Sequence, residues 1–331
     1  MVELEEFDYY LPRELIAQEP IRPRDSSKLM VIKKKEIEHR SFREIYNFLE
    51  KDDVLVLNNT KVLPNRLVGE KSTGSKAEII IEEKEENLYR ARVVFRGKKL
   101  GAVLNFPDGL VAKVKHRKND IFWLEFNKSP EETLEKWGKM PIPYYVKKPI
   151  QDQSLYQTEF ASDNGSLAAP TSGFHFTGEL LGKIKDIGVK IVYVTLHISF
   201  GTFSDIKGPV EKHKMEKESY IVPQETAVAI NNRKNRLIVC GTTSFKAIES
   251  ASDSSGLVHP NASRSGLFIY PGYKFRIKPD MMITNFHLPK STLILFVSAY
   301  FGKDVVLNAY NEAVKEKYRF FSFGDATLFY R

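Results

Sequence analysis

The stretch from residue 65 to 126 constrains the fold most, because it holds six short strand-like runs and no convincing helix. They read RLVGEK, AEIIIEE, YRARVVF, AVLNF, LVAKVKHR and IFWLEF, with brief turns between them. Strands following one another so closely suggest a small sandwich or barrel. A helix over SPEETLEKWG (129–138) ends this module, with Ser129 expected as N-cap, Pro130 as first residue and Gly138 as the stop. GKMPIPYYVKKP then reads as a proline-rich linker.

The flanking sequence has a different texture. Beyond residue 155 the pattern alternates: helix 178–187 after Thr177 and stopped by Gly188, strand 190–198, a helix near 223–234 opened by Pro223, strand 236–240, and a helix near 243–252. Strands near 267–270 and 281–286 precede helices 291–301 and 303–318. Such alternation argues for a largely parallel sheet with helices on both faces. Ahead of the module, LPRELIAQ (11–18) reads as a helical turn. SFREIYNFLEK (41–51) reads as a helix with a Ser41/Glu44 capping box. DVLVLN (53–58) reads as a buried strand joining the later sheet. The expected class is α/β: a mostly parallel sheet flanked by helices, interrupted by an inserted small β-barrel domain, with divisions 1–64, 65–150 and 151–331.

Composition narrows the function classes. The single cysteine, Cys240 in RLIVCG, excludes an internal disulfide framework and suits a buried small hydrophobe. The acidic start MVELEEFDYYLPRE lacks a secretory pattern. The apolar run STLILFVSAYFG (291–302) is too short for a membrane-spanning helix, which needs roughly 20 residues. A cytoplasmic protein, with a monomer as the default, is therefore expected. A net charge of +8 suits a polyanionic partner, and residues 96–118 carry seven Lys or Arg against one Asp. That face is either solvated surface or a phosphate-binding one. Neither GK[ST] nor GxGxxG is present, and no His or Cys spacing matches a zinc motif, so no structural metal is expected.

Three segments carry a histidine into small polar residues after a hydrophobic run: AAPTSGFHFT (168–177), KIVYVTLHISFGTF (190–203) and MMITNFHLPKST (281–292). Ligands of open parallel sheets bind beyond the strands' carboxyl ends, so such segments suggest a polar pocket. His175, His197 and His287 are candidate acid–base groups because imidazole titrates near neutrality. GTTS (241–244) follows a strand and opens a helix, either as an anion site or as plain capping. Lys290 stands where the next helix begins, the unfavourable end for a cation, which hints at an anionic ligand; an exposed lysine is the other reading. Asp325, in RFFSFGDATLFY, either caps a turn or orients a histidine or ligand hydroxyl. RPRDSSK (22–28) is surface or an anion-handling loop, and His213 in EKHKMEKE is a solvated loop residue or a substrate contact.

With these residues in hand, the chain resembles the S-adenosylmethionine:tRNA ribosyltransferase-isomerases of queuosine biosynthesis. The likeness rests on FDYYLPRELIAQEPIRPRDSSKLMVI, LVLNNTKVLPNRL, YQTEFA, AAPTSGFHFT, VTLHISFGTF, EKHKMEKESYIVP, GTTSFKAIESA, IYPGYKFR, TNFHLPKSTLILFVSAYFG and YRFFSFGDA, in that order. Ser172, Phe174, Ser199 and Phe200 depart from the expected pattern, and VFRGKKLG matches it only loosely. The resemblance implies an α/β domain interrupted by a β-barrel. It implies transfer and isomerisation of the ribosyl moiety of S-adenosylmethionine, a co-substrate, onto 7-aminomethyl-7-deazaguanine at the tRNA wobble position. The product would be epoxyqueuosine in tRNA, with adenine and methionine released and no prosthetic group required.

For the site it implies His175, His197, His287 and Asp325 as catalytic residues meeting around one ligand. Thr171, Gly173, Thr202, Thr242, Thr243, Ser244, Asn285 and Lys290 would contact S-adenosylmethionine. Arg24, Lys28, Lys61, Arg66, Lys98, Lys99, His213 and Lys214 would contact RNA. Two competing readings are a non-catalytic RNA-binding protein and a metal-dependent nucleoside hydrolase.

Overall fold

The computed structural model describes residues 2–34, 36–95, 97, 99–143, 145–147, 152–199, 201 and 206–331. They form two compact units, Met1–Lys61 with Tyr144–Arg331, and Val62–Pro143. The sequence-based divisions fall at 64/65 and at 150/151, the latter outside the described residues.

In chain order the strands are β1 (Lys28–Lys33), β2 (Glu36–Ser41), β3 (Val54–Asn58), β4 (Thr60–Val62), β5 (Arg66–Lys71), β6 (Lys76–Glu85), β7 (Leu88–Phe95), β8 (Val103–Asn105) and β9 (Val111–Lys118). Then come β10 (Ile121–Phe126), β11 (Asp163–Ser166), β12 (Lys190–Leu196), β13 (Glu218–Val222), β14 (Leu237–Cys240), β15 (Asn261–Ser265), β16 (Met281–Asn285) and β17 (Ala326–Tyr330). The α-helices are α1 (Glu131–Trp137), α2 (Gly178–Asp186), α3 (Gln224–Asn231), α4 (Gly241–Ser250), α5 (Thr292–Phe301) and α6 (Lys303–Lys315).

The larger unit is built on a nine-stranded sheet of order β15-β13-β12-β3-β14-β16-β17-β1-β2. Its centre, β12-β3-β14-β16, is parallel throughout. β17 and β1 run parallel to one another, but β17 is antiparallel to β16. β13, β15 and β2 are also antiparallel to their neighbours. The expectation of a mostly parallel sheet is therefore corrected to a mixed one. The direct return of β1 into β2 needs no crossover helix and leaves no period-3.6 signal, whereas β17 comes back antiparallel to β16 after two helices, α5 and α6.

The central strands read as unbroken apolar runs because both faces are covered. Met30, Ile32, Val54 and Val56 pack into one core, and the alternate residues Leu29, Val31, Leu55 and Leu57 into the other. Cys240 belongs to the second core, where burial pushes its thiol pKa up. The Ser41/Glu44 capping box is present, but it opens a 3-10 helix, Phe42–Phe48. Two further expectations fail locally. Residues 267–270 are irregular and the strand lies at Asn261–Ser265 instead. Pro130 occupies the N-cap of α1, so Ser129 precedes the cap and its hydroxyl meets Glu131.

The smaller unit is a closed barrel, β10-β7-β6-β5-β8-β9. Period-2 alternation fills its interior with Leu67, Ile79, Ala91, Leu104, Val114 and Phe122. Among the described residues, no single helix is long and apolar enough to cross a membrane.

Candidate functional site

The parallel centre of the sheet brings four strand ends to one edge: Leu196, Asn58, Cys240 and Asn285. A cavity of about 260 Å³ lies among the segments that follow them. Asn285 and the run His287–Ser291 form one wall, Gly241–Thr243 at the start of α4 another, and Ala169–Ser172 a third. Ile198, Tyr145, Phe286, Leu293, Phe321 and Ser322 complete the lining. A crevice at the carboxyl edge is where this topology leaves room for a ligand.

The β14–α4 junction is tight. Gly241 has φ +85°, and a Cβ there would sit 3.3 Å from Ser172 Oγ. Cys240, the N-cap of α4, makes no side-chain cap bond, so the first-turn N–H groups lack that partner. Thr242 is 8% exposed, lines the cavity, and its hydroxyl has no hydrogen-bond partner among the described residues. Plain capping, one of the two readings of GTTS, is thus not what these threonines do.

His287 is set by Tyr310. The tyrosine oxygen accepts from the His287 backbone N–H at 3.3 Å and lies 3.0 Å from Nδ1. The Tyr310 proton has no other acceptor among the described residues, which assigns it to Nδ1 and the ring hydrogen to Nε2, 3.4 Å from Thr284 Oγ1. Tyr9 O–H donates to the His287 carbonyl at 2.5 Å. Burial pushes the imidazole pKa down to about 3, so the ring is neutral at physiological pH.

His175 sits deeper. Asn285 Nδ2 donates to the Phe321 carbonyl at 2.9 Å, which turns Oδ1 toward His175 Nε2 at 3.3 Å. Ser27 Oγ is 2.8 Å from Nδ1, and the Phe42 ring lies 4.8 Å from the imidazole. Burial pushes this pKa down to about 4. His197 is half-buried, with Nδ1 2.7 Å from Thr60 Oγ1. Gly165 makes space for its ring, since an added Cβ would approach to 3.0 Å. Burial lowers the His197 pKa and the Asp163 charge opposes that shift.

Of the three histidines, one is among the residues that line the large cavity. His287 lines the large cavity. His175 lines a smaller void of about 20 Å³ beside Arg24, Phe174 and Phe323; Ser322 lines both this void and the large cavity, and Asn285, which lines the large one, bonds the His175 ring. His197 lines neither of these two, although the next residue, Ile198, lines the large one.

Asp325 orients no histidine: its carboxylate accepts from the backbone N–H groups of Lys28 (2.9 Å) and Arg319 (2.8 Å). Lys290, which has φ +54°, lines the cavity but pairs with Glu5 and Asp8, each at 3.1 Å. The anions that its position implied are thus the protein's own, and they raise its pKa. Thr171, Thr242, Thr243 and Asn285 line the cavity. Gly173 does not: a Cβ there would lie 2.8 Å from Thr158 and Phe160, so it is a packing glycine. Ser244 is fully buried away from the lining, and Thr202 lies outside the described residues.

A family model described as "Queuosine biosynthesis protein" matches residues 4–329. The chain belongs to that family. Among its curated relatives is the S-adenosylmethionine:tRNA ribosyltransferase-isomerase of Clostridioides difficile (strain 630), 48% identical with 98% of each chain covered. The enzyme of the same name from Caldanaerobacter subterraneus subsp. tengcongensis is 46% identical, again over 98% of both. The crystal structure of S-adenosylmethionine tRNA ribosyltransferase from Thermotoga maritima is similar with a TM-score of 0.54, at 36% identity, covering 98% of this chain and 99% of that one.

Several cations that the family likeness suggested for RNA contact are engaged within the protein. Arg24 donates to the carbonyls of Gln157 (2.6 Å) and Ser154 (3.3 Å) and lies over the Phe174 ring. Lys28 donates to the Glu316 carbonyl at 2.8 Å, and Arg66 pairs with Glu78. His213 is half-buried with Phe268 4.9 Å from its ring, and burial lowers its pKa. Lys61, Lys99 and Lys214 are exposed, while Lys98 lies outside the described residues.

Sequence reading missed two groups beside the site. Glu218 and Lys246 form a buried pair at 2.8 Å, and the other Glu218 oxygen accepts the Ser199 N–H at 2.9 Å. Each hides in an ordinary charged context, EKHKMEKE and SFKAIES, where nothing local marks burial. Asn58 is the second. It resembles any polar strand end, yet all four hydrogen-bonding positions of its amide are used.

Proposed function

We propose that the protein is a S-adenosylmethionine:tRNA ribosyltransferase-isomerase. It transfers and isomerises the ribosyl moiety of S-adenosylmethionine onto 7-aminomethyl-7-deazaguanine at the tRNA wobble position, giving epoxyqueuosine-tRNA with release of adenine and methionine. The observation that carries this reading is near-complete coverage at 46–48% identity by relatives of that name. The carboxyl-edge cavity supports it. Its lining combines hydroxyl and amide groups with Phe286, Leu288, Pro289 and Leu293, a mixture that suits a nucleoside carrying an amino-acid chain.

The chemistry asks for a base at the ribose 5′ carbon acidified by the sulfonium, a proton or hydrogen-bond donor for the departing adenine, and a neutral aminomethyl nucleophile. His287 fits the second demand. It is neutral, and its Nε2–H has only a long contact to Thr284, so it can donate to a leaving nitrogen. With both ring nitrogens engaged, His175 acts by fixing Asn285. His197 is the remaining candidate base, since Nδ1 is held by Thr60 and Nε2 has no partner among the described residues. Asp325 fixes the backbone at Lys28, next to the Ser27 that bonds His175.

Incubation with S-adenosylmethionine and tRNA carrying the 7-deazaguanine precursor should release adenine and leave the ribosyl group on the tRNA. Binding of the tRNA without adenine release would favour a pure RNA-binding protein. Cleavage that stops on adding a chelator would favour a metal-dependent hydrolase.

A further inference from the structure

The hydrogen bonds of Asn58 fix which way the Thr243 hydroxyl faces. Asn58 Oδ1 accepts two backbone N–H groups, those of Thr60 and Leu196, both at 3.1 Å. Backbone N–H groups can only donate, so the amide cannot be flipped. Its Nδ2 must therefore donate, one hydrogen to the Leu196 carbonyl and the other to Thr243 Oγ1, both at 3.1 Å. Thr243 Oγ1 thereby receives a hydrogen bond, and its own proton has no acceptor among the described residues. Thr243 lines the cavity, one residue beyond the buried, unpartnered Thr242 and inside the first turn of α4.

We infer that Asn58 is a positioning residue that occupies one acceptor site of Thr243 and leaves its proton to be donated into the cavity, so that the first turn of α4 receives the carboxylate of the ligand's amino-acid moiety. The inference rests on the proposed S-adenosylmethionine reaction and adds which pole of the ligand lies where. All donors offered at this end are neutral: the Thr242 and Thr243 hydroxyls and the α4 first-turn N–H groups. Lys290, the cation on the same lining, is occupied by Glu5 and Asp8. The carboxylate is thus held by oriented dipoles rather than by a counter-charge.

Titration calorimetry on the full chain tests this, with S-adenosylmethionine and its decarboxylated analogue as the two ligands. Thr243→Val should weaken S-adenosylmethionine binding about tenfold and leave binding of the analogue within about twofold of wild type. Thr243→Ser keeps the donor and should bind both ligands like wild type. Asn58→Asp keeps both acceptor bonds but draws the Thr243 proton to itself, so it should reproduce the Thr243→Val pattern. If Asn58→Asp fails to fold, as a melting curve would show, the two Thr243 variants decide alone. Equal losses for both ligands, or no loss in Thr243→Val, would overturn the inference. A wild-type protein that binds neither ligand would instead overturn the proposed function.

Discussion

The histidines tie the site to stability through their protonation. Imidazole titrates near 6.5 in an unfolded chain, whereas burial lowers His175 to about 4 and His287 to about 3. Between those values and 6.5 the unfolded state binds more protons, so stability rises with pH. The contribution is complete above about pH 6.5 and is lost as pH falls toward the folded values, at about 1.4 kcal/mol per pH unit for each ring. Urea titrations between pH 5.2 and pH 7.5 should show this slope and avoid most of the carboxylate range. His175→Gln should remove one ring's share, about 1.4 kcal/mol per pH unit below pH 6.5, and an unchanged slope would mean that His175 titrates normally. Activity separates the two residues. His287→Ala should lower kcat about 10²-fold or more with little change in S-adenosylmethionine affinity. His175→Gln should act mainly through KM, because Asn285 loses its partner. The sequence showed these residues as strand-end histidines. It could not show their hydrogen bonds, because Ser27, Asn285, Thr60 and Tyr310 come from distant segments.

At the scale of elements, the segment after β12 is held against α4 by a buried charge pair. Glu218 on β13 bonds both Lys246 of α4 and the Ser199 N–H, so one carboxylate ties a strand near the sheet's edge, the cavity helix and the loop beyond His197. Removing one partner leaves an uncompensated buried charge, which typically costs roughly 3–5 kcal/mol. Lys246→Met or Glu218→Gln alone should therefore lower the melting temperature markedly. The double variant should cost less than the sum of the two, a coupling read from the double-mutant cycle. Additive losses would show that the charges act independently. The elements themselves were legible wherever local chemistry decides them: the Thr177 cap of α2, Pro223 ahead of α3 and the Ser41/Glu44 box all sit where the sequence places them. Strand direction was not legible. A buried run such as ATLFY in β17 looks the same whether its neighbour runs with it or against it, and here it does both.

For the whole molecule, the net charge of +8 must be read after its internal pairings are removed. In the barrel, Arg90 and Arg92 face Glu82, Arg66 faces Glu78, and Lys115 faces Glu125. Strand β9 still presents exposed Lys113, Arg117 and Lys118, and Lys99 is exposed in the same unit. Such side chains attract phosphate without reading sequence, and each contact releases condensed counterions. If this face meets tRNA, replacing Lys99, Lys113 and Lys118 by Ala should weaken tRNA binding and flatten the plot of log affinity against log salt by about two to three. Unrelated tRNAs should be affected alike, because phosphate contacts position a partner without specifying it. Binding of S-adenosylmethionine alone should not change, since the cavity is lined entirely by residues of the other unit. A triple variant with the wild-type salt slope would assign the basic strand to solvent. The phosphate contacts would then have to come from exposed cations of the larger unit, Lys61 and Lys214 first among them.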